Sequence, residues 1–238
     1  MANTNSLDLE LSSSQYADRA DTTSLSITGD LTIECWVKLE QLPSTVGTRF
    51  NAVTKYKEST NERSYRLTIE STNDKPLFVN SSDGTSANTA SAAATTALTA
   101  GVWTHLAVSY NAAAGTCAFY RNGVADGTGA SLKTSIHDNA SRFALGAINT
   151  DVAAVEFYDG LIDEVRIWND IRTATEILTN YQAELLGSEQ GLVAYYKLNN
   201  VYTDSTTNAN DLTASGSPVF STDVPFVGGG SGLQNKIW

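Results

Sequence analysis

Leu31-Thr32-Ile33-Glu34-Cys35-Trp36-Val37-Lys38-Leu39 places an apolar residue at every odd position. Successive side chains of an extended strand point to opposite faces, so Leu31, Ile33, Cys35, Val37 and Leu39 line one face while Glu34, Trp36 and Lys38 share the other. The same period predicts strands at 64–70, 76–80, 103–110, 116–121, 142–148, 161–168 and 191–198. Turn chemistry separates them. Asn122-Gly123 follows the 116–121 strand with two residues that tolerate positive φ. Residues 111–115 make a short connection ending in glycine, and Asp83-Gly84 and Asp159-Gly160 mark further turns. Many short strands between turns predict an all-β, two-sheet antiparallel sandwich.

One helix interrupts this pattern. Thr173 and Glu176 have the spacing of a capping box, and Ile177, Leu178, Tyr181 and Leu185 then recur at helical spacing, with Gly187 as the expected stop. This predicts one short amphipathic helix lying on the sandwich. Residues 81–101 are rich in Ser, Ala and Thr and read as a strand with little side-chain bulk. The glycines at 228–230 and 232 read as a flexible arm ending in Ile237-Trp238. The expected organisation is therefore one domain over 1–225 and an arm over 226–238.

The 238 residues suffice for one large β-sandwich, and 41% hydrophobic content supplies its core. A formal net charge of −11 argues against nucleic acid and anionic membrane surfaces as partners. Apolar runs such as 192–196 are too short to span a bilayer. The first residues lack a basic stretch followed by an apolar core, so no signal peptide is expected in this chain. Cys35 and Cys117 both fall in strands, and either a disulfide between them or two buried free thiols fits that placement.

Several segments, in order, resemble the laminin G-like jelly rolls of the concanavalin A-like lectin/glucanase superfamily, known from bacterial and phage proteins. Residues 31–38 resemble "FTIEAWVK", with Cys35 in place of Ala; residues 101–110 resemble "GTWHHVAVTY"; and 119–123 resemble "LYVNG". Residues 158–169, YDGLIDEVRIWN, are similar to "FDGLIDEVRIWN", and 191–198 resemble "GLVAYYKF". Residues 204–211 resemble "DSSGNGND", with Thr207 and Ala209 in place of glycines. The resemblance runs from about residue 6 to 222 and implies a jelly-roll sandwich, a fold that hosts lectins, adhesion modules and enzymes alike.

Candidate chemistry is sparse. Glycoside hydrolysis needs carboxylates paired across the sugar bond. Glu156 and Asp159, three apart, and the neighbours Asp163 and Glu164 each point to opposite faces of a strand, so no catalytic set is expected. His105 reads as a packed core histidine and His137 as a loop residue. Calcium prefers about six to eight oxygen ligands. Asp204, Asn208, Asn210 and Asp211 offer such oxygens, and the resemblance adds Asp163, which gives Asp163, Asp204, Asn208 and Asp211 as the candidate calcium ligands. The alternative is that these residues build turns. Trp36, Trp103 and Trp168 read as core residues, leaving Tyr56, Tyr158 and Tyr202, in or beside loops, as platforms for a sugar.

The expected function is non-enzymatic: a lectin-like recognition or adhesion module for a glycan or protein surface, placed outside the cell. The competing expectation is a bacteriophage virion protein, a capsid decoration or tail component at the virion surface. In that case Ile237 and Trp238 would dock the arm onto a homo-oligomer or onto capsid or tail proteins.

Overall fold

A computed structural model describes residues 3–150 and 152–227. Two antiparallel sheets face each other across a continuous apolar core. The eight-stranded sheet contains β1 (Ser6–Leu9), β3 (Leu31–Leu39), β8 (Thr104–Asn111), β9 (Thr116–Arg121), β10 (Val124–Gly129), β12 (Gly160–Trp168), β13 (Leu192–Tyr196) and β15 (Val219–Ser221). The seven-stranded sheet contains β2 (Tyr16–Arg19), β4 (Phe50–Lys57), β5 (Glu62–Ile69), β6 (Pro76–Ser81), β7 (Thr89–Ala93), β11 (Phe143–Leu145) and β14 (Thr213–Ser215). Two short helices, α1 (Pro43–Val46) and α2 (Ala174–Asn180), complete the described elements, beside single 3₁₀ turns. The all-β jelly-roll sandwich is the fold.

The period-two reading of β3 holds: Leu31, Ile33, Cys35, Val37 and Leu39 all lie in the core between the sheets. β3 sits mid-sheet between β8 and β12. Asn122 and Gly123, at φ 50° and 77°, join β9 to β10 as a two-residue hairpin with Arg121 opposite Val124. Cys35 and Cys117 are free and buried. Burial raises the Cys35 thiol and pushes Cys117 up to about 11, so both act as small apolar groups.

β12 breaks strict alternation. Its register shifts between Asp163 and Arg166, and Glu164 sits at φ 50°. Ile162 and Val165, three residues apart, therefore both reach the core. Asp163 and Glu164 do not diverge to opposite faces as alternation requires, and both feel the negative charge of Glu184. β4 is buried along its whole length with two register shifts of its own, which removes the alternation that would have announced it.

Three further expectations need correction. The 142–148 segment is strand only over Phe143–Leu145, because Gly146, at φ 95°, turns the chain and donates its N–H to Asn51 O, after which Ile148 makes a single bridge to Val155. Within 81–101 only Thr89–Ala93 is strand, after a 3₁₀ turn at Ser86–Asn88. The capping box forms as expected, but α2 ends at Asn180, not near Gly187. The chain past α2 is drawn down onto the sheet instead. Arg166 donates to the carbonyls of Asn180 and Ala183, and the Trp36 indole N–H donates to that of Tyr181.

As a result the eight-stranded sheet is covered on both sides. Trp168, Tyr195, Leu185 and Leu192 form a second apolar cluster away from the main core. The Trp36 and Tyr181 rings stack at 5.9 Å. Phe226 lies 6.0 Å from Trp36 on the same face. On the outer face of the seven-stranded sheet, Ile148 packs against Tyr56 and Val79, and Glu156 pairs with Arg66.

Candidate functional site

On that face, β6 alternates Leu77 and Val79 outward against Phe78 inward, and β5 sends Arg66 outward between Tyr65 and Leu67. Tyr56 alternates to the same face, where it packs with Val79, Leu77 and Ile148, and the register shift, with Ser64 as the extra residue of β5, sets Arg63 opposite it. The result is a groove of about 320 Å³ crossing four neighbouring strands. Arg49, Arg63 and Arg66 line it with Glu58 and Glu70, and Ser86, Thr89 and Ser91 form its far wall.

The Arg66 guanidinium lies 4.4 Å from the Tyr56 ring centroid, a cation–π contact that fixes both groups. Arg66 also pairs with Glu156 at 3.0 Å, and the Asn51 amide holds the Glu156 backbone carbonyl at 2.8 Å. Burial raises the Tyr56 hydroxyl pKa, with the Arg66 charge working against that shift. Arg49 pairs with Glu70 at 2.7 Å. Arg63 is seated on neutral acceptors, its Nη1 donating to Asn61 Oδ1 and to the Gly84 carbonyl. Gly84 has φ 82°, and a Cβ there would stand 1.9 Å from the Asn61 carbonyl oxygen, so glycine is required for this seat. The groove thus joins guanidinium forks, carboxylates and hydroxyls over a buried aromatic ring, polar groups of the kind that grip a polyhydroxylated ring.

The three expected tyrosine platforms separate. Tyr56 belongs to β4, not to a loop, and forms the groove floor. Tyr158 is completely buried in the main core and donates to the Leu161 carbonyl, so it is no platform. Tyr202 is half-buried with its ring 4.9 Å from Phe220.

The expected calcium ligands are likewise dispersed. Both carboxylate oxygens of Asp204 already accept hydrogen bonds: Oδ1 from the N–H groups of Tyr195 and Thr206, Oδ2 from the Thr206 hydroxyl and the Asn210 N–H. Asn208 and Asn210 donate their side-chain amides to the Val193 carbonyl, and Asp211 accepts the Asp204 N–H. Asp163, fully buried, accepts from Asn3 Nδ2 and the Glu164 N–H, not from any group of the loop. Oxygens held this way by donors build a turn and do not fit a hard cation. Among the described residues, the one trio of carboxylates with oxygens within 4.8 Å of one another is Asp8, Glu10 and Glu40. Burial raises all three pKa values, and the Asp159 charge adds to each. Ile237 and Trp238, the expected docking residues, lie outside the described residues.

A second polar constellation sits beneath α2. Glu34, His105, Glu164, Arg166 and Tyr195 are all buried there. Arg166 Nη2 pairs with Glu164 at 2.8 Å, Tyr195 donates to the same carboxylate, and the Trp168 indole donates to Glu34. The roof of α2 and residues 180–185 closes this set off from a ligand, so it serves the fold.

The sequence model of the concanavalin A-like lectin/glucanases superfamily matches residues 11–178. The chain belongs to this superfamily. Among solved structures, a candidate carbohydrate-binding protein from Bacteroides ovatus ATCC 8483 superposes with a TM-score of 0.73 at 17% identity, over 95% of this chain and 62% of that one. The heptameric SAP-like pentraxin from Limulus polyphemus gives 0.59 at 11% identity, over 87% of this chain and 94% of that one. The binding domain of Paraclostridial mosquitocidal protein 1 gives 0.52 at 14%, over 70% and 40%. At these identities the likeness is one of fold. This superfamily member spans about 62% of the length of the Bacteroides ovatus protein. No curated protein matches the chain.

Sequence reading of this superfamily member named Tyr56 but missed Arg49, Arg63 and Arg66. The signal present was their crowding into residues 49–66 of an acidic chain, with Arg63 and Arg66 on one strand and Arg49 just before another.

Proposed function

We propose that this superfamily member is a non-enzymatic, lectin-like module that holds a glycan in the groove of the seven-stranded sheet and works at an extracellular or surface location. The observation that carries this reading is the groove across β4, β5, β6 and β7, where guanidinium–carboxylate pairs and hydroxyl side chains stand over the buried Tyr56–Arg66 contact. Sugars present apolar C–H faces and arrays of hydroxyls that both donate and accept, and this lining answers both. The B. ovatus structure, described as a candidate carbohydrate-binding protein, supports the reading through its shared fold. Larger polar space exists beside the 23–30 loop, about 490 Å³, but it has no aromatic lining.

Binding fits the carboxylates better than catalysis. Glu70 is tied to Arg49 and Glu156 to Arg66, which leaves Glu58 as the remaining carboxylate of the groove region, where hydrolysis needs an acid and a nucleophile in a pair. A glycan array with the whole chain should return a defined set of ligands. Tyr56→Leu, which keeps the packing against Val79 and Ile148, should weaken them about tenfold, roughly 1.4 kcal/mol. Undiminished binding in a Tyr56→Leu protein that melts like the parent would remove the groove from the account.

A further inference from the structure

Resting on the glycan-binding reading, we infer that the groove selects an acidic sugar, carrying a carboxylate or a sulfate, over its neutral counterpart. A guanidinium donates hydrogen bonds and accepts none, so three of them in one groove leave donors in excess. Arg66 is 3% exposed, and its buried Nε–H has no partner. Arg49 directs both Nε and Nη2 at the single Oε1 of Glu70. Arg63 rests on an amide and a backbone carbonyl, and no described carboxylate pairs with it, since its neighbour Glu62 pairs with Lys57 at 3.0 Å.

A neutral hydroxyl brings one donor for each oxygen and would leave such a lining part-satisfied. A carboxylate or sulfate brings acceptors alone, with the spacing of a guanidinium fork. The setting sharpens the argument. The chain carries a net charge of −11, so anions are repelled from its surface at large, while Arg49, Arg63 and Arg66 offset Glu58, Glu70 and Glu156 in and beside the groove and lift that repulsion locally. Leu77 and Val79 give the sugar ring an apolar rest, and the hydroxyls of Ser86, Thr89 and Ser91 meet its remaining oxygens.

The test is calorimetric titration of the whole chain with trigalacturonate, its full methyl ester, and a sulfated galactan trisaccharide. The ester keeps shape and hydroxyls while removing charge. At least one anionic probe should bind about tenfold or more tightly than the ester, and raising the salt should weaken the anionic probe far more than the ester. Arg63→Gln should bring that ratio close to one, while Arg121→Gln, on the other sheet, should leave it intact. Preference for the carboxylate or for the sulfate identifies the source of the anion, and either supports the inference. Equal binding of acid and ester, or a ratio unmoved by Arg63→Gln, overturns it while leaving glycan binding in place. A chain that binds no probe here and nothing on a glycan array overturns the groove reading as well.

Discussion

His105 Nε2 lies 3.4 Å from Glu34 Oε2, and both side chains are almost wholly buried under α2. Neither imidazole nitrogen has a hydrogen-bond partner. Glu34 and the facing rings of Trp36 and Tyr181 favour an imidazolium there, while Arg166 opposes it.

Stability should therefore fall on mild acidification. Burial pushes the His105 pKa below 6.5, more than Glu34 raises it. An unfolded chain takes up this proton near pH 6.5 and the folded one resists it, so stability is full above that value and declines as the pH falls below it. Burial alone would raise Glu34, but His105, Arg166 and Trp168 together hold it below 4.5, so its contribution is lost only at lower pH. Urea denaturation between about pH 5 and 8 should show the decline, and His105→Gln should flatten it. An identical slope in both proteins would exclude His105 as its source.

Arg166 is the cation that neutralises Glu34 and Glu164 and also holds the chain after α2. Arg166→Met should destabilise by about 3–5 kcal/mol, because it strands buried carboxylates. Pairing it with Glu164→Gln should recover part of that loss in thermal denaturation.

Gly123 carries positive φ in the β9–β10 turn, and a Cβ there would meet Leu178 Cδ1 at 2.9 Å and Tyr181 Cδ1 at 3.0 Å. Gly123→Ala should cost about 1–2 kcal/mol, from backbone strain and from the pressure on α2. Circular dichroism melts would register it, and an unchanged melting temperature would show that the hairpin yields freely.

Asp204 ties the 204–211 loop to β13 by accepting four donors. Asp204→Ala should cost about 2–4 kcal/mol. Added calcium or a chelator should leave the parent melting temperature within about 1 °C, since both carboxylate oxygens of Asp204 are already engaged by N–H and O–H groups. A calcium-dependent rise abolished in Asp204→Ala would return this loop to the metal sites.

Much of the sandwich was readable from residues 31–39, 116–123 and 158–169, where one buried face, a two-residue turn and ordered motifs coincide. β4 was not, because burial on both sides and two bulges erase its alternation. The end of α2 was hidden for another reason: it depends on Arg166 and Trp36, distant in sequence, reaching carbonyls that local pattern assigns to a continuing helix. The groove was half visible. An aromatic at position 56 stood out, but its partnership with Arg66 exists only once β4 and β5 pair and set Arg66 opposite Thr54, two residues before it. Tyr158 misled because the Asp159-Gly160 turn beside it suggested exposure, while the turn in fact tucks the ring inward.

The roof over the eight-stranded sheet gives the molecule a back and a front. Phe226 rests on Trp36 at the back, and the arginine-lined groove opens at the front. Many copies fixed to a support by their α2 side would all present their grooves outward, so weak single contacts with a repeating polymer would add up into firm attachment.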